Sequence, residues 1–436
     1  MKSLQHGSLH FNKKLSFDFS GGNLSSDSGL LFVREFTRKV GLPQMLKNRF
    51  DDDKERIHSI SSIMEQIIYQ SIAGYHADDC ADALRHDPVF TTILDKESLA
   101  SQPTISRMMN SFTAEDAQAF NEILEMLYLL FNPVRDKSEI VLDLDSTNAV
   151  TYGKQELSDY IAHYQKNGYH PLVLFDGITG DLMKFILRKG STYTSKGVKD
   201  FLEPVVKKLR DRYPQAEILV RGDSGFAMPE LYDLCEDYGI HYVIRLKANS
   251  KLHELAQDAN SHFNELYCKD YSKKHELYDE FNYQAGSWSK PRRVICKVER
   301  DAGSLLSRTT FIITTLEAAP KVVVKAYNKR GNMENYIKEC KLDFGMETLS
   351  HSSFAANQAK AMILGIAYMV MNAMKRLVLP KKHKSKQMGT LRSFFIKIGS
   401  RLVSHSKKQI FRLATSYPHQ NIIYEVLQRT QNLSFG

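Results

Sequence analysis

Glu139-Ile140-Val141-Leu142-Asp143-Leu144-Asp145-Ser146-Thr147 is the stretch on which the fold turns. Its continuous β-branched and aliphatic run reads as a strand buried on both faces, and the hydroxyl pair reads as its end. Asp143 and Asp145 are two residues apart, so they share one face of that strand. Downstream, Leu172–Asp176 and Leu182–Leu187 read as a hairpin around Gly177-Ile178-Thr179-Gly180. A helix is expected over about 196–213, a strand over 217–221 ending in Gly222-Asp223-Ser224-Gly225, a helix over 229–238 and a strand over 242–247. The Gly177–Gly180 turn opens no helix, so it is not a phosphate loop.

The resulting order, β-β-β-α-β-α-β, predicts a mixed α/β sheet with an antiparallel start, an order that suits a ribonuclease-H-like core. Residues 1–135 read as mostly helical, with apolar spacing in Gly29–Lys39 and again in His58–Tyr75. In Ser101-Gln-Pro-Thr-Ile-Ser-Arg107, Ser101 can cap a short helix from which Arg107 projects. That pattern suits a helix-turn-helix and equally an ordinary bundle connection. Residues 248–325 read as a β-rich insertion with strands in RRVICKVER, RTTFIITTL and KVVVKAY, too long for a plain loop. The expected domains are therefore 1–135, a core of 136–247 with 326–379, the insertion 248–325, and a basic helical tail 380–436.

Charge is unevenly spread. The chain of 436 residues has a formal net charge of +9, yet from Lys375 onward 13 Lys/Arg face one acid, Glu425. A near-neutral body with a basic tail points to a polyanionic partner. The apolar run Ala361–Met374 is too short to span a bilayer and reads as a buried helix, so no membrane role is expected. The start, MKSLQHGSLHFNKK, has no apolar core of a secretory signal. Five dispersed cysteines form no metal spacing, which favours reduced thiols and a cytoplasmic setting. Neither the 15 histidines nor Asp51-Asp52-Asp53 form a metal motif.

An acid at the end of an apolar sheet strand stands where α/β proteins bind ligands. Asp145 and Asp223 both do so, and burying such acids is costly without a cation. A single one would be read as a turn acid; two at matching strand ends favour a metal site. After the insertion comes AYNKRGNMENYIKECK, with Tyr327, Arg330, Glu334 and Lys341 spaced Y-(2)-R-(3)-E-(6)-K. A surface pair of Glu334 with Lys338 would explain Lys338 but not Tyr327 or Arg330.

This spacing resembles the signature of bacterial insertion-sequence DDE transposases of the cut-and-paste group. LDST and GDSGF are similar to that family's two aspartate blocks, and the likeness extends over roughly residues 25–380. The resemblance implies a triad of Asp145, Asp223 and Glu334, with Asp143 as the alternative first acid. It also implies Mg²⁺ or Mn²⁺, two ions, held by those carboxylates for in-line phosphoryl transfer. Tyr327, Arg330 and Lys341 would hold phosphates. Trp288, set among Lys290, Arg292 and Arg293, would stack a flipped base, whereas a lone tryptophan is ordinarily a core residue. The implied activity is binding of terminal inverted repeats, cleavage and strand transfer by a DNA transposase acting as a homodimer on double-stranded DNA. A ribonuclease-H-like structure-specific nuclease and a domesticated DNA-binding protein with a dead site are the alternatives.

Overall fold

The computed structural model describes residues 7–133, 139–405 and 408–435. The domain boundary expected near residue 135 lies outside the described residues. The chain divides into two compact units, Asn132–Lys338 and a second one made of Met1–Phe131 with Glu339–Gly436.

The Asn132–Lys338 unit is built on one eight-stranded sheet. Its members are β1 (Glu139–Ser146), β2 (Leu172–Asp176), β3 (Leu182–Ile186), β4 (Glu217–Gly222), β5 (His241–Leu246), β6 (His275–Tyr283), β7 (Arg292–Arg300) and β8 (Arg308–Thr314). The spatial order is β6-β7-β8-β5-β4-β1-β2-β3. The centre is parallel, with β4 between β1 and β5, and both flanks are antiparallel. β1 is buried from Ile140 to Leu144, an apolar run interrupted only by Asp143, because sheet neighbours and packed layers cover it. Between β2 and β3 the Asp176 carboxylate accepts from the amides of Ile178 and Thr179, and Gly180 takes φ +74°, a conformation glycine adopts freely.

Helix α1 (Val198–Arg212) leads into β4, and α2 (Pro229–Asp237) joins β4 to β5. The three strands β6, β7 and β8 extend this same sheet, since β8 pairs antiparallel with β5. Two helices, Ser250–Leu255 and Gln257–Lys269, precede them, where the sequence reading has only β structure. KVVVKAY, expected as a strand, is instead within helix α3 (Pro320–Asn328). Pro320 sits in the first turn, and Val323, Val324 and Tyr327 recur on one face. That face packs on Val141, Leu219, Val243, Ile295 and Ile312 of the sheet, so burial outweighs the local β preference of three valines. A short helix, α4 (Gly331–Lys338), follows.

Among the described residues, the second unit contains seven N-terminal helices and α5 (Phe354–Leu377). Of the described helices α5 is the one long and apolar enough to cross a membrane, and it is almost wholly buried in this unit. The tail, expected to be helical, is mixed. Strands β9 (Ser400–His405) and β10 (Lys408–Leu413) form a ribbon, β9 also pairs with Leu24–Ser25, and α6 (Gln420–Gln431) closes the chain. All five cysteines are free thiols.

Candidate active site

β1 and β4 are parallel neighbours in a register that sets Asp143 against Arg221. Asp145 and Asp223 each lie two residues further on. The two acids therefore leave adjacent strands at the same, C-terminal end of the sheet, where α/β folds place ligands. Asp223 caps the single turn Ser224–Phe226, accepting from the Gly225 amide at 2.8 Å. Asp145 accepts from the Ser146 amide at 2.9 Å.

The third acid comes from the helical segment after β8. α3 packs on the sheet, the chain breaks direction at Lys329–Arg330, and α4 presents Glu334 in its first turn. Glu334 is exposed. Its charge and that of Asp223 both act on Asp145. Burial, opposed by Arg330 and reinforced by those two carboxylates, pushes the Asp145 carboxyl up to about 6.

Arg330 is the cation of this centre. It is 8% exposed, lies 2.9 Å from the Asp145 carboxylate and approaches the Leu144 carbonyl. Among the described residues, its buried Nε has no partner. Tyr327 is half-buried on α3; burial raises its hydroxyl, with Arg330 and Arg245 opposing and Asp223 adding to the rise. Arg330 thus pairs with Asp145, the Glu334 charge acts on Asp145, and the Tyr327 hydroxyl feels Asp223.

Of the other expected site residues, Asp143 and Trp288 are engaged within this same unit. Asp143 is fully buried and forms two 2.6 Å hydrogen bonds with Arg221, so both its oxygens are committed inside the sheet. It does not compete with Asp145. Trp288 is 8% exposed, ring to edge with Tyr232 and Tyr283 and under the Arg292 guanidinium. Arg292 is itself tied to Glu236 and Asp233. The tryptophan packs an aromatic cluster at the end of β7, and the ring surface a base would need is occupied. Lys341 belongs to the second unit, 3.5 Å from Glu347. Arg107 is exposed on Gln102–Met109 and donates to Thr104 at 3.0 Å.

The sequence reading did not find a loop that touches both acid-bearing segments. Thr194 Oγ1 lies 3.3 Å from Ser146 Oγ, and its methyl packs so closely on Gly225 that an added Cβ there would come within 2.8 Å of it. Arg188, buried at the end of β3, fastens this loop by donating to the carbonyls of Tyr193, Thr194 and Lys196, and to that of His170. Burial lowers its pKa to about 10. Tyr164 donates to the Ser146 carbonyl at 3.3 Å, and burial next to Asp145 and Asp223 pushes its hydroxyl up to about 12. Nothing local in STYTSKG announces these long-range contacts.

Among the described residues no three acid, histidine or cysteine side chains are drawn together closely enough to hold an ion outright. The donor chemistry nevertheless fits a hard cation. The acids are carboxylates, they crowd negative charge onto Asp145, and a guanidinium now balances it.

A search of curated protein sequences finds no match. Among solved structures, the chain is similar to the piggyBac transposase synaptic complex with hairpin DNA, determined by cryo-EM. The TM-score is 0.41 at 11% identity, covering 90% of this chain and 82% of that one. The sequence matches the transposase DDE domain, group 1, over residues 7–435. Given a match over nearly its whole length, this chain belongs to the DDE transposase family.

Proposed function

We propose that the protein is a DNA transposase that binds the terminal inverted repeats of its own insertion sequence and carries out metal-dependent cleavage and strand transfer. The observation that carries this reading is the pair of acids Asp145 and Asp223 at the ends of the adjacent parallel strands β1 and β4, with the Glu334 charge acting on the buried Asp145. The strand order β3-β2-β1-β4-β5, antiparallel and then parallel, supports a ribonuclease-H-like reading of the core.

Asp145, Asp223 and Glu334 are the residues that would hold Mg²⁺ or Mn²⁺, as a pair of ions in the family's manner. When bound, such ions neutralise the phosphate under attack and lower the pKa of the attacking hydroxyl. Asp145 and Asp223 are held by backbone amides, so their carboxylates are oriented before DNA arrives. Arg330 keeps Asp145 compensated, and its spare Nε–H is a donor for a phosphate oxygen. Tyr327 adds a protonated hydroxyl as a hydrogen-bond donor, its pKa raised further by burial. Joining two element ends suits a dimer on DNA, and the free thiols suit a bacterial cytoplasm.

The test is incubation with Mg²⁺ and a duplex carrying the element's end, comparing wild type with Asp223→Ala. Metal-dependent nicking at the end, followed by joining, by the wild type alone supports the reading. Equal activity in both proteins rejects this site, and nicking without joining supports the nuclease alternative.

A further inference from the structure

The excess positive charge of the tail is not distributed evenly over its surface. Several of its cations are neutralised within the second unit: Lys375 by Glu339, Arg392 by Asp343, Lys397 by Asp27 and Arg429 by Glu425, the last using the tail's single acid. The β9–β10 ribbon is different. Its register sets Arg401 opposite Arg412, Val403 opposite Ile410, and His405 opposite Lys408, all on one face. Arg401, Lys408 and Arg412 are exposed, and among the described residues no ion pair or side-chain hydrogen bond engages any of the three.

The other face of the ribbon has a partner. Phe411 and Leu413 line a hollow with Phe32 and with Ile423, Tyr424 and Leu427 of α6. The ribbon is therefore anchored by its apolar side and turns its cationic side outward. Like charges directly opposite on an antiparallel pair are destabilising, so this arrangement costs the free protein stability. A polyanion laid along the face would remove that repulsion.

We propose that the Arg401/Lys408/Arg412 face of the β9–β10 ribbon is a docking surface for the phosphate backbone of duplex DNA, independent of base sequence. This rests on the reading of the protein as a transposase for its choice of DNA as the polyanion. Geometry favours a duplex. The two cationic rungs are four residues apart, about 13 Å along the strands, close to the major-groove width of about 12 Å, a groove that admits a two-stranded ribbon. The aliphatic rung Val403/Ile410 between them carries no charge that would oppose phosphate. Contacts of this kind position a duplex and set salt dependence without reading bases.

The experiment uses the full-length protein and a triple variant, Arg401→Gln/Lys408→Gln/Arg412→Gln. Fluorescence anisotropy measures binding to an element-end duplex and to a random duplex of equal length over a KCl series, with thermal melting and sedimentation alongside. Each lost phosphate contact removes about 0.9 from the slope of log K against log salt. The variant is expected to lose about 2–3 from that slope on both duplexes and to melt at the same or a higher temperature. An unchanged slope overturns the proposal, as does a lost slope accompanied by a lower melting temperature. A changed association state with an unchanged slope would assign the face to a second copy instead and also overturns it. These outcomes leave the catalytic reading intact if the wild type still nicks element-end DNA. A wild type that shows no salt-dependent duplex binding sinks both.

Discussion

Asp143 and Arg221 face each other across the parallel β1–β4 pair and are joined by two hydrogen bonds of 2.6 Å, while the third arm of the guanidinium donates to the Ala326 carbonyl on α3. This buried pair lies two residues before both sheet acids, and it ties the helix that leads to Glu334 to the strands that carry Asp145 and Asp223. Removing one partner strands the other's charge in the interior, at a cost of about 3–5 kcal/mol. Arg221→Met and Asp143→Ala are each expected to lower the free energy of unfolding by that order, measured by urea titration. Asp145→Asn, which leaves the Asp223 carboxylate beside Arg330, should lose nicking while the protein stays folded. If Asp143→Ala were as stable as wild type and inactive, Asp143 would be the ligand and the assignment of Asp145 would be wrong.

The burial of Asp145, with the Asp223 and Glu334 charges adding to it, has a pH signature in chelator-treated protein. Its folded pKa is raised, so the stability linked to it is present below the unfolded value near 4 and is lost as pH rises through about 6. Asp223→Asn keeps a residue able to cap Ser224–Phe226 but removes one repelling charge. It should therefore lower the Asp145 pKa, so that the variant loses less stability than wild type between pH 4.5 and pH 7.5. Denaturant unfolding at the two pH values checks this. A variant equally stabilised at both would show that the two acids are not coupled.

Trp288 separates packing from base stacking. Its contacts with Tyr232, Tyr283 and Arg292 predict that Trp288→Ala costs about 3–5 kcal/mol, whereas Trp288→Phe costs much less. Where both variants are folded, nicking of element-end DNA should be unchanged, as should hairpin formation if the wild type forms hairpins. Full stability with lost hairpin formation would restore the stacking role.

How much of this could be read from the sequence depended on whether local pattern and final burial agreed. β1 was legible because a central strand covered on both faces is mostly apolar, and the acids Asp143 and Asp145 stood out against it. Asp223 was legible by the same contrast. α3 was not, because Val322, Val323 and Val324 have strand propensity, while only the assembled sheet supplies the surface that rewards Val323, Val324 and Tyr327 as a helical face. β6 is an edge strand of HELYDEFNY, whose face of Leu277, Phe281 and Tyr283 is interrupted by Asp279. LRSFFIKIGSRLV reads as one amphipathic helix, yet Ser400–His405 takes strand pairing on both sides, with β10 and with Leu24–Ser25. Thr194 and Arg188 were invisible because their partners lie far along the chain or on other loops.

Arg188 accordingly predicts a positioning effect. It holds the loop through the carbonyls of Tyr193, Thr194 and Lys196, so Arg188→Lys keeps a charge but cannot span the same three acceptors. Nicking by this variant should fall about tenfold or more at saturating DNA, with duplex affinity within about twofold of wild type. Hydrogen exchange at the loop amides should rise in parallel. Equal loss of affinity and rate would place Arg188 in DNA binding, and unaltered exchange would remove the positioning account.

His76 offers a test within the second unit. Its ring packs against the Gly345 backbone, where φ is +74°, and burial together with Arg392 and Lys360 pushes its pKa down to about 4. The folded state therefore favours neutral His76, while the unfolded chain takes up a proton near 6.5. Stability from this group is present above pH 6.5 and is lost as pH falls toward 4. The full shift would amount to about 3 kcal/mol, but the ring is partly exposed and solvent screening reduces this to about 1–2 kcal/mol. His76→Gln cannot take up that proton, so its urea midpoint should decline less than that of wild type between pH 6.5 and 4. Parallel curves for the two proteins would show that His76 is not the group responsible.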